Sequence, residues 1–373
     1  MDRSATLAKA RRMVPPGARR AAGRLFPSPP VLQQGPHPDP LDPATPPPDP
    51  RGWPTARQEA FASAEMELFR ASLRLPGISD VRAAVLDDLS TYFGLSAEEC
   101  VERCRNWESW SVKEWSAADR SSQDGMTDFY RTTQSWAFDL LWFAYLQAEG
   151  YGLPTSVLAL QAISARDHGR AHLDFGSGAG VTGQVFARAG YETALADIST
   201  SLLGFARFRL SRRGQQARFI DLNDESLAAG RYDVITALDT LILIPDLADV
   251  VAGLHAALRP GGWLITNFDV RPPSPENAWH LYDDDLNLRA ILHRAGFVPS
   301  GRFGDPVQQL RRVPGVPPRG PGGRRPAAPG AARPARPDQP SPPRHPPPEP
   351  APGRRDPAED RVAGRTAADC WPA

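Results

Sequence analysis

Residues 171–199 read AHLDFGSGAGVTGQVFARAGYETALADIS, and this stretch decides the fold. Ala171–Phe175 has the length and apolar character of a strand, and Glu192–Ala196 is a second such run. Gly176, Gly178 and Gly180 lie between them, followed by a segment with helical spacing. Glycines at these positions permit a tight turn and let the backbone approach a ligand closely. The helix that follows directs its free N–H groups back toward the turn, where an anionic group is favoured. Asp197 ends the second run, where a carboxylate can accept hydrogen bonds from ribose hydroxyls. The expectation is a nucleotide-type cradle at the first β-α-β unit.

Outward from this unit, strand-length apolar runs alternate with helix-length stretches. The further strands expected are Ala217–Ile220, Tyr232–Leu238, Trp263–Phe268 and a weak one near Phe297–Arg302. Such alternation is the pattern of a doubly wound, mostly parallel α/β sheet. Upstream, from Thr55 to about Ile163, only helical spacing is found: Ala60, Ala64, Leu68 and Ala71 form one series, and Val81, Val85 and Leu89 another. Ser96 with Glu99 three residues on forms a capping box that starts a helix at Ala97. One continuous helix is expected over Asp128–Ala148, and another from Pro154, a residue suited to a first turn. Asp283, Asp284 and Asp285 read as the cap and first turn of a helix that stops at Gly296.

Gly178, Gly180 and Gly183 also spell GxGxxG, the dinucleotide fingerprint, so an NAD(P)- or flavin-dependent oxidoreductase is one reading of the loop. The string Asp174-Phe175-Gly176-Ser177-Gly178-Ala179-Gly180, however, is acid-apolar-Gly-x-Gly-x-Gly. It resembles motif I of the class I, Rossmann-like S-adenosylmethionine-dependent methyltransferases. The resemblance continues through RFIDLND, with Asp221 at the end of the third strand, and through YDVITALDTLILIPDLADVVAGLHAALRPGGWLI, which matches the family's fourth strand, helix and Pro-Gly-Gly turn. It implies S-adenosylmethionine as cofactor. It further implies cofactor contacts at Asp174, Gly176, Ser177, Gly178, Gly180, Asp197, Ile198, Asp221, Leu222 and Asp239. The alternative for Asp221 and Asp239 is that they only cap strand ends or the helices that follow, a reading that suits Asp239 better than Asp221.

Many small-molecule members carry Glu-His before the Val-Pro-Asp that follows strand four, and this chain has Ile242 and Leu243 there. That departure leaves His280, between strand five and the next helix, as the candidate general base, with Tyr282 beside it for substrate contact. Helical segments before motif I form a lid in this superfamily, and by analogy Tyr130, Thr133 and Trp136 face the acceptor. Packing of the cap accounts for the same aromatic residues. The function expected is methyl transfer to a small-molecule, glycan or natural-product acceptor. The alternative is a protein that binds S-adenosylmethionine without transferring its methyl.

Composition sets the limits. Of 41 prolines in 373 residues, 14 lie within residues 1–54 and 18 lie after Arg312. The division expected is therefore a disordered segment over 1–54, a helical cap over 55–169, a cofactor-binding domain over 170–313, and a disordered Pro/Arg/Ala/Gly-rich tail over 314–373. Two lysines stand against 41 arginines, the mark of a GC-rich gene, so the tail is read either as an appendage or as a frameshifted translation. In the first case Val307–Arg312 is an edge strand, and in the second the sheet lacks part of its edge. Zero formal net charge argues for no nucleic-acid partner. Apolar runs are too short to span a bilayer, and the Arg-rich start lacks a secretory apolar core, so a cytoplasmic location is expected. Cys100, Cys104 and Cys370 fit neither a disulfide framework nor a metal site and read as reduced thiols.

Overall fold

The alternation of β-length and α-length segments after residue 170 closes into one sheet in a computed structural model of the chain. The structure describes residues 38–313 except 43, 47, 54, 120–122, 153, 167, 269, 271–280, 283 and 304–306. The chain divides into two units, Met1–Gly323 and Arg324–Ala373, and every described residue belongs to the first.

Among the described residues eight α-helices precede the first strand: α1 (Thr55–Phe61), α2 (Ala64–Leu73), α3 (Val81–Phe93), α4 (Ala97–Arg105), α5 (Trp107–Ala117), α6 (Gln123–Thr132), α7 (Ser135–Ala148) and α8 (Thr155–Ser164). The centre of this cap is α7, whose Phe138, Leu141 and Trp142 are fully buried and which packs against α2, α3, α4 and α5. Full burial of side chains of this size stabilises by roughly 1.5–3 kcal/mol each. The Ser96 capping box forms as expected, with Ser96 Oγ accepting from Glu99 N at 3.2 Å and Glu99 Oε2 accepting from Ser96 N at 2.8 Å. Cys100 and Cys104 are free thiols on the buried side of α4. Burial pushes Cys100 up to about 11, so it stays protonated.

Two expectations for the cap are corrected. The helix expected over Asp128–Ala148 is broken at Thr133–Gln134 into α6 and α7. The cause is Glu114 of α5, whose carboxylate accepts from Thr133 Oγ1 (2.5 Å), Ser135 Oγ (2.8 Å) and the backbone N–H of Ser135 (3.2 Å). A carboxylate from a different helix thus caps the start of α7 and offsets its dipole. The boundary at residue 54 is also too late. Asp39 pairs with Arg82 at 2.9 Å, and the Trp142 indole donates to the carbonyl of Pro38 at 3.1 Å, so described structure reaches back to Pro38.

The remainder is β1 (Ala171–Phe175), α9 (Val181–Arg188), β2 (Glu192–Asp197), α10 (Thr200–Arg212), β3 (Arg218–Asp221), β4 (Tyr232–Ala237), α11 (Leu247–Ala257), β5 (Leu258–Asn267), α12 (Asp285–Arg294), β6 (Phe297–Phe303) and β7 (Val307–Arg312). Strand order is β3-β2-β1-β4-β5-β7-β6. The first five strands pair in parallel and β7 runs antiparallel to both neighbours. β1 and β4 are buried over most of their length, which is why they read as nearly unbroken apolar runs. The Pro-Gly-Gly turn is a bulge inside β5: Tyr232 pairs with Leu258 and Val234 with Trp263. Asp284 caps α12, accepting from the backbone of Leu286 and Asn287.

The sheet's edge corrects a third expectation. Val307–Arg312 is not an edge strand but the interior β7, inserted between β5 and β6. The sheet therefore has its full antiparallel closure within the described residues. The tail after 313, like the segment before 38, lies outside them.

Candidate functional site

In an open α/β sheet, ligands bind beyond the carboxyl ends of the strands where the strand order reverses. Here β2 and β4 leave β1 in opposite directions, and the glycine loop begins at that point. Gly176, Gly178 and Gly180 adopt φ of 68°, 51° and 75°, a region that side-chain-bearing residues rarely occupy. Space is equally restrictive. A Cβ on Gly176 would collide with the Thr240 side chain, and one on Gly178 would lie 2.6 Å from Leu140 Cδ1 of α7. The cap therefore sits directly on the loop.

Each acid of the motif has a definite task. Asp174 is buried at the end of β1, where Oδ2 accepts from Gly183 N at 2.8 Å and Oδ1 from Thr236 Oγ1 at 2.9 Å. Thr236 is also 2.9 Å from Nε2 of the buried His172. Asp174 thus ties α9 to β1 and β4 from behind the loop. Burial raises it to about 7, against the lowering effect of its hydrogen bonds. Burial likewise leaves His172 neutral, pushed down to about 3. Asp197 lies at the front. Its Oδ2 accepts from Gly178 N and its Oδ1 from Ser199 N, both at 2.8 Å. Burial raises Asp197 as well, countered by these N–H donors. Each oxygen keeps a second lone pair for a hydroxyl donor.

Asp221 is the register partner of Asp197 on β3. It accepts from Thr200 Oγ1 at 2.8 Å and from Asn223 N at 3.0 Å. Partial burial would raise it, but these bonds and the positive field of Arg131 on α6 outweigh burial, and it stays below the ordinary carboxylate range. Leu222 donates its N–H to Asp197 O at 3.0 Å and packs into the core below. Ile198 is 40% exposed although it follows a buried strand, so an apolar face is presented beside the two acids. After β4, Asp239 is the only non-glycine residue with positive φ (51°) among the described residues. Asn267 at the end of β5 stabilises that strained backbone, accepting from Asp239 N at 2.7 Å and donating to Asp239 Oδ1 at 2.5 Å.

Ser177 supplies a direct test of fit. Its hydroxyl is buried and has no hydrogen-bond partner among the described residues. An orphaned donor at the mouth of a glycine cradle suits a ligand with polar groups. The two acids, Ile198 and the loop line one side of the sheet's carboxyl end together.

The expected substrate residues fall into two groups. Tyr130 and Trp136 belong to an aromatic cluster with Phe129 and Trp115, and Leu140 lies one turn beyond Trp136 on α7. Thr133 is 3% exposed and its hydroxyl is committed to Glu114, a structural duty. Tyr282 donates to the carbonyl of Ile244 at 2.8 Å, which pins the segment before α12 to the turn holding Leu243. Ile242 in that turn is buried at 2% exposure and packs in the core rather than facing a ligand. His280 lies outside the described residues. Among the described residues no cluster of three metal-ligating side chains is found, and no helix is long and apolar enough to cross a membrane.

Four contributors were not anticipated: Thr236, Thr240, Asn267 and Leu140. Asn267 carried a signal, being a polar residue at the end of an apolar strand. Leu140 follows from the helical spacing of Trp136.

The chain is similar to known proteins over this region. A family profile described as a methyltransferase domain matches residues 173–264. A ubiquinone biosynthesis O-methyltransferase from Bordetella avium is 27% identical over 180 residues, covering 42% of this chain and 75% of the relative. The protein of that name from Aromatoleum aromaticum is 35% identical over 97 residues, covering 25% of this chain and 42% of the relative. Among solved structures, the 1,6-didemethyltoxoflavin-N1-methyltransferase of Burkholderia thailandensis is 24% identical, with a TM-score of 0.35, covering 43% of this chain and 77% of that one. With its glycine cradle, its paired strand-end acids and its 3-2-1-4-5-7-6 sheet, this chain carries a methyltransferase domain of the class I, Rossmann-like, S-adenosylmethionine-dependent type.

Proposed function

We propose that the chain methylates a small, planar, largely apolar molecule held between the cap and the carboxyl ends of β1, β4 and β5. The observation that carries this reading is the seating of α7 on the cofactor loop: Leu140 contacts the Gly178 position, and Trp136 with Tyr130 extends the same apolar surface. The names of the curated relatives, which are O-methyltransferases of ubiquinone biosynthesis, agree with such an acceptor. We assign the roles residue by residue on this basis. Asp197 holds the ribose, Asp221 and Ile198 the adenine side, and Gly176–Gly180 with Ser177 the methionine part. Asp174 and Asp239 act through the backbone they brace.

When bound, S-adenosylmethionine supplies an activated methyl on a sulfonium, so the chain's share of catalysis is alignment and exclusion of water. Burial raises both Tyr130 and Tyr282, so each remains a phenol at neutral pH and neither serves there as a base. With Ile242 and Leu243 in place of Glu-His, a phenolic or amine acceptor that loses its proton readily fits better than an alcohol. Incubation with methyl-labelled S-adenosylmethionine and a panel of catechols, phenols, aliphatic alcohols and amines tests the reading. Label in the aromatic acceptors is expected, and label confined to alcohols or glycans would contradict it. The same two side chains favour a second reading, binding without transfer, in which no acceptor is labelled although the cofactor binds. We assign the chain to the cytoplasm.

A further inference from the structure

Arg209 lies in the third turn of α10, a position that an amphipathic helix would give to solvent or to the aliphatic core, yet its side chain is fully buried. Its guanidinium spans two regions. Nη1 donates to the carbonyl of Ala179 at 2.5 Å, in the middle of the Gly178-Ala179-Gly180 turn. Nε donates to Asp88 Oδ2 at 3.2 Å on α3 of the cap, 121 residues earlier in the chain. The third nitrogen, Nη2, is buried and has no partner among the described residues. Asp88 is itself fully buried and also receives Arg212 Nη1 at 2.9 Å and Arg213 Nη2 at 2.7 Å. Arg213 also donates Nη1 to Asp88 Oδ1 at 3.3 Å and makes further bonds to the carbonyls of Leu73, Arg74 and Arg209, and Arg212 pairs with Asp87. Of the three arginines on Asp88, Arg209 alone is recorded touching the cofactor loop.

Stability is a poor reason for such an arrangement. A buried ion pair can usually be replaced by apolar groups of similar volume without loss, because desolvation offsets the attraction. Burial lowers the Arg209 guanidinium to about 10, and one of its nitrogens goes unsatisfied. What an apolar side chain could not do is fix the direction of the Ala179 carbonyl, and with it the plane of the Ala179–Gly180 peptide at a glycine with φ of 75°.

We propose that Arg209 is a positioning residue: with one end on Asp88 of the cap and the other on Ala179, it sets the glycine loop in its cofactor-binding conformation and makes that conformation depend on the docked cap. The inference rests on the cofactor assignment above. The test compares Arg209→Met with Arg213→Met, an equally buried partner of Asp88 without a recorded loop contact, and reads two quantities. These are the affinity for S-adenosylhomocysteine by calorimetry, and amide hydrogen exchange of residues 176–182 in the ligand-free protein. Arg209→Met is expected to weaken binding at least about tenfold and to speed exchange in the loop. Arg213→Met should change binding less than about threefold, whatever it does to the melting temperature. Arg209→Lys keeps the charge but cannot bridge both acceptors, and is expected to bind as weakly as the methionine variant; it carries the comparison if that variant does not fold. Wild-type affinity in either Arg209 variant, or equal losses in the Arg209 and Arg213 variants, would overturn the proposal. Failure of the unaltered protein to bind S-adenosylhomocysteine would instead overturn the cofactor assignment on which it stands.

Discussion

The strand-end cradle and the helical cap are built from different physical constraints. In the cradle, backbone geometry dictates residue type: three glycines sit at positive φ, and two acids meet the N–H groups of Gly178, Gly183 and Ser199. In the cap, identity is set by packing among distant helices, as with Trp142, or by one carboxylate capping another helix, as with Glu114. A backbone constraint leaves a local signature in sequence, whereas a packing constraint does not. The two regions should therefore fail differently when altered: cradle substitutions should remove ligand binding with the fold intact, and cap substitutions should remove stability first.

The largest effect is expected from Gly178→Val. A β-branched residue at φ of 51° is strained, and its Cβ would lie 2.6 Å from Leu140, so the loop must shift. Affinity for S-adenosylhomocysteine should fall by about 4 kcal/mol, a factor of about 1,000, as measured by titration calorimetry. Binding within tenfold of the unaltered protein would break the contrast.

A pH-dependent component of stability should belong to the cradle. Asp174 is raised to about 7 in the folded state by burial, well above its unfolded value of about 3.9. Between about pH 4 and 7 the folded protein thus holds a proton that the unfolded chain has released. Stability from this group is present in full below about pH 4, declines as pH rises, and is lost above about 7, with an amplitude on the order of 4 kcal/mol. Asp197, also raised by burial, acts in the same direction. Asp174→Asn keeps an acceptor for Gly183 and a partner for Thr236, and should flatten the denaturant-unfolding profile across that window. An unchanged slope would show that Asp174 is ionised in the fold.

Next comes Asp197→Ala, with a loss of about 1.5–3 kcal/mol in cofactor affinity, the scale of charge-assisted hydrogen bonds. Its melting temperature should stay near that of the unaltered protein. The smallest effect tests the cap: Thr133→Val removes the hydroxyl from Glu114 at constant shape and should cost about 1 kcal/mol of stability with no change in S-adenosylhomocysteine affinity. A loss of affinity without loss of stability would place Thr133 in the ligand site and erase the distinction between the two regions.

The same contrast explains what could be read before any coordinates. β1, the glycine turn, β2 and Asp197 form one contiguous stretch, and each is marked by a local rule. Three features escaped. The break in α6–α7 depends on Glu114, about 20 residues from the residues it caps. The rank of β7 in the sheet was hidden because its alternation is masked: Gln308 and Gln309 are both buried, one accepting from Arg289 and the other donating to the carbonyl of Ala162. The role of Arg209 leaves no local mark, since nothing nearby in the sequence indicates that Asp88 will bury it. In the site itself, the acids and glycines were visible; Thr240, beside the loop, was not, and Asn267, which holds the Asp239 backbone, was marked only as a polar end to an apolar strand.

The central claim, that the glycine loop and its two strand-end acids form an S-adenosylmethionine cradle, is tested most directly by calorimetric titration of the full chain with S-adenosylhomocysteine and, in parallel, with NADH. The structure predicts a single site for S-adenosylhomocysteine and no heat of binding with NADH. Saturable NADH binding together with no S-adenosylhomocysteine binding would contradict it.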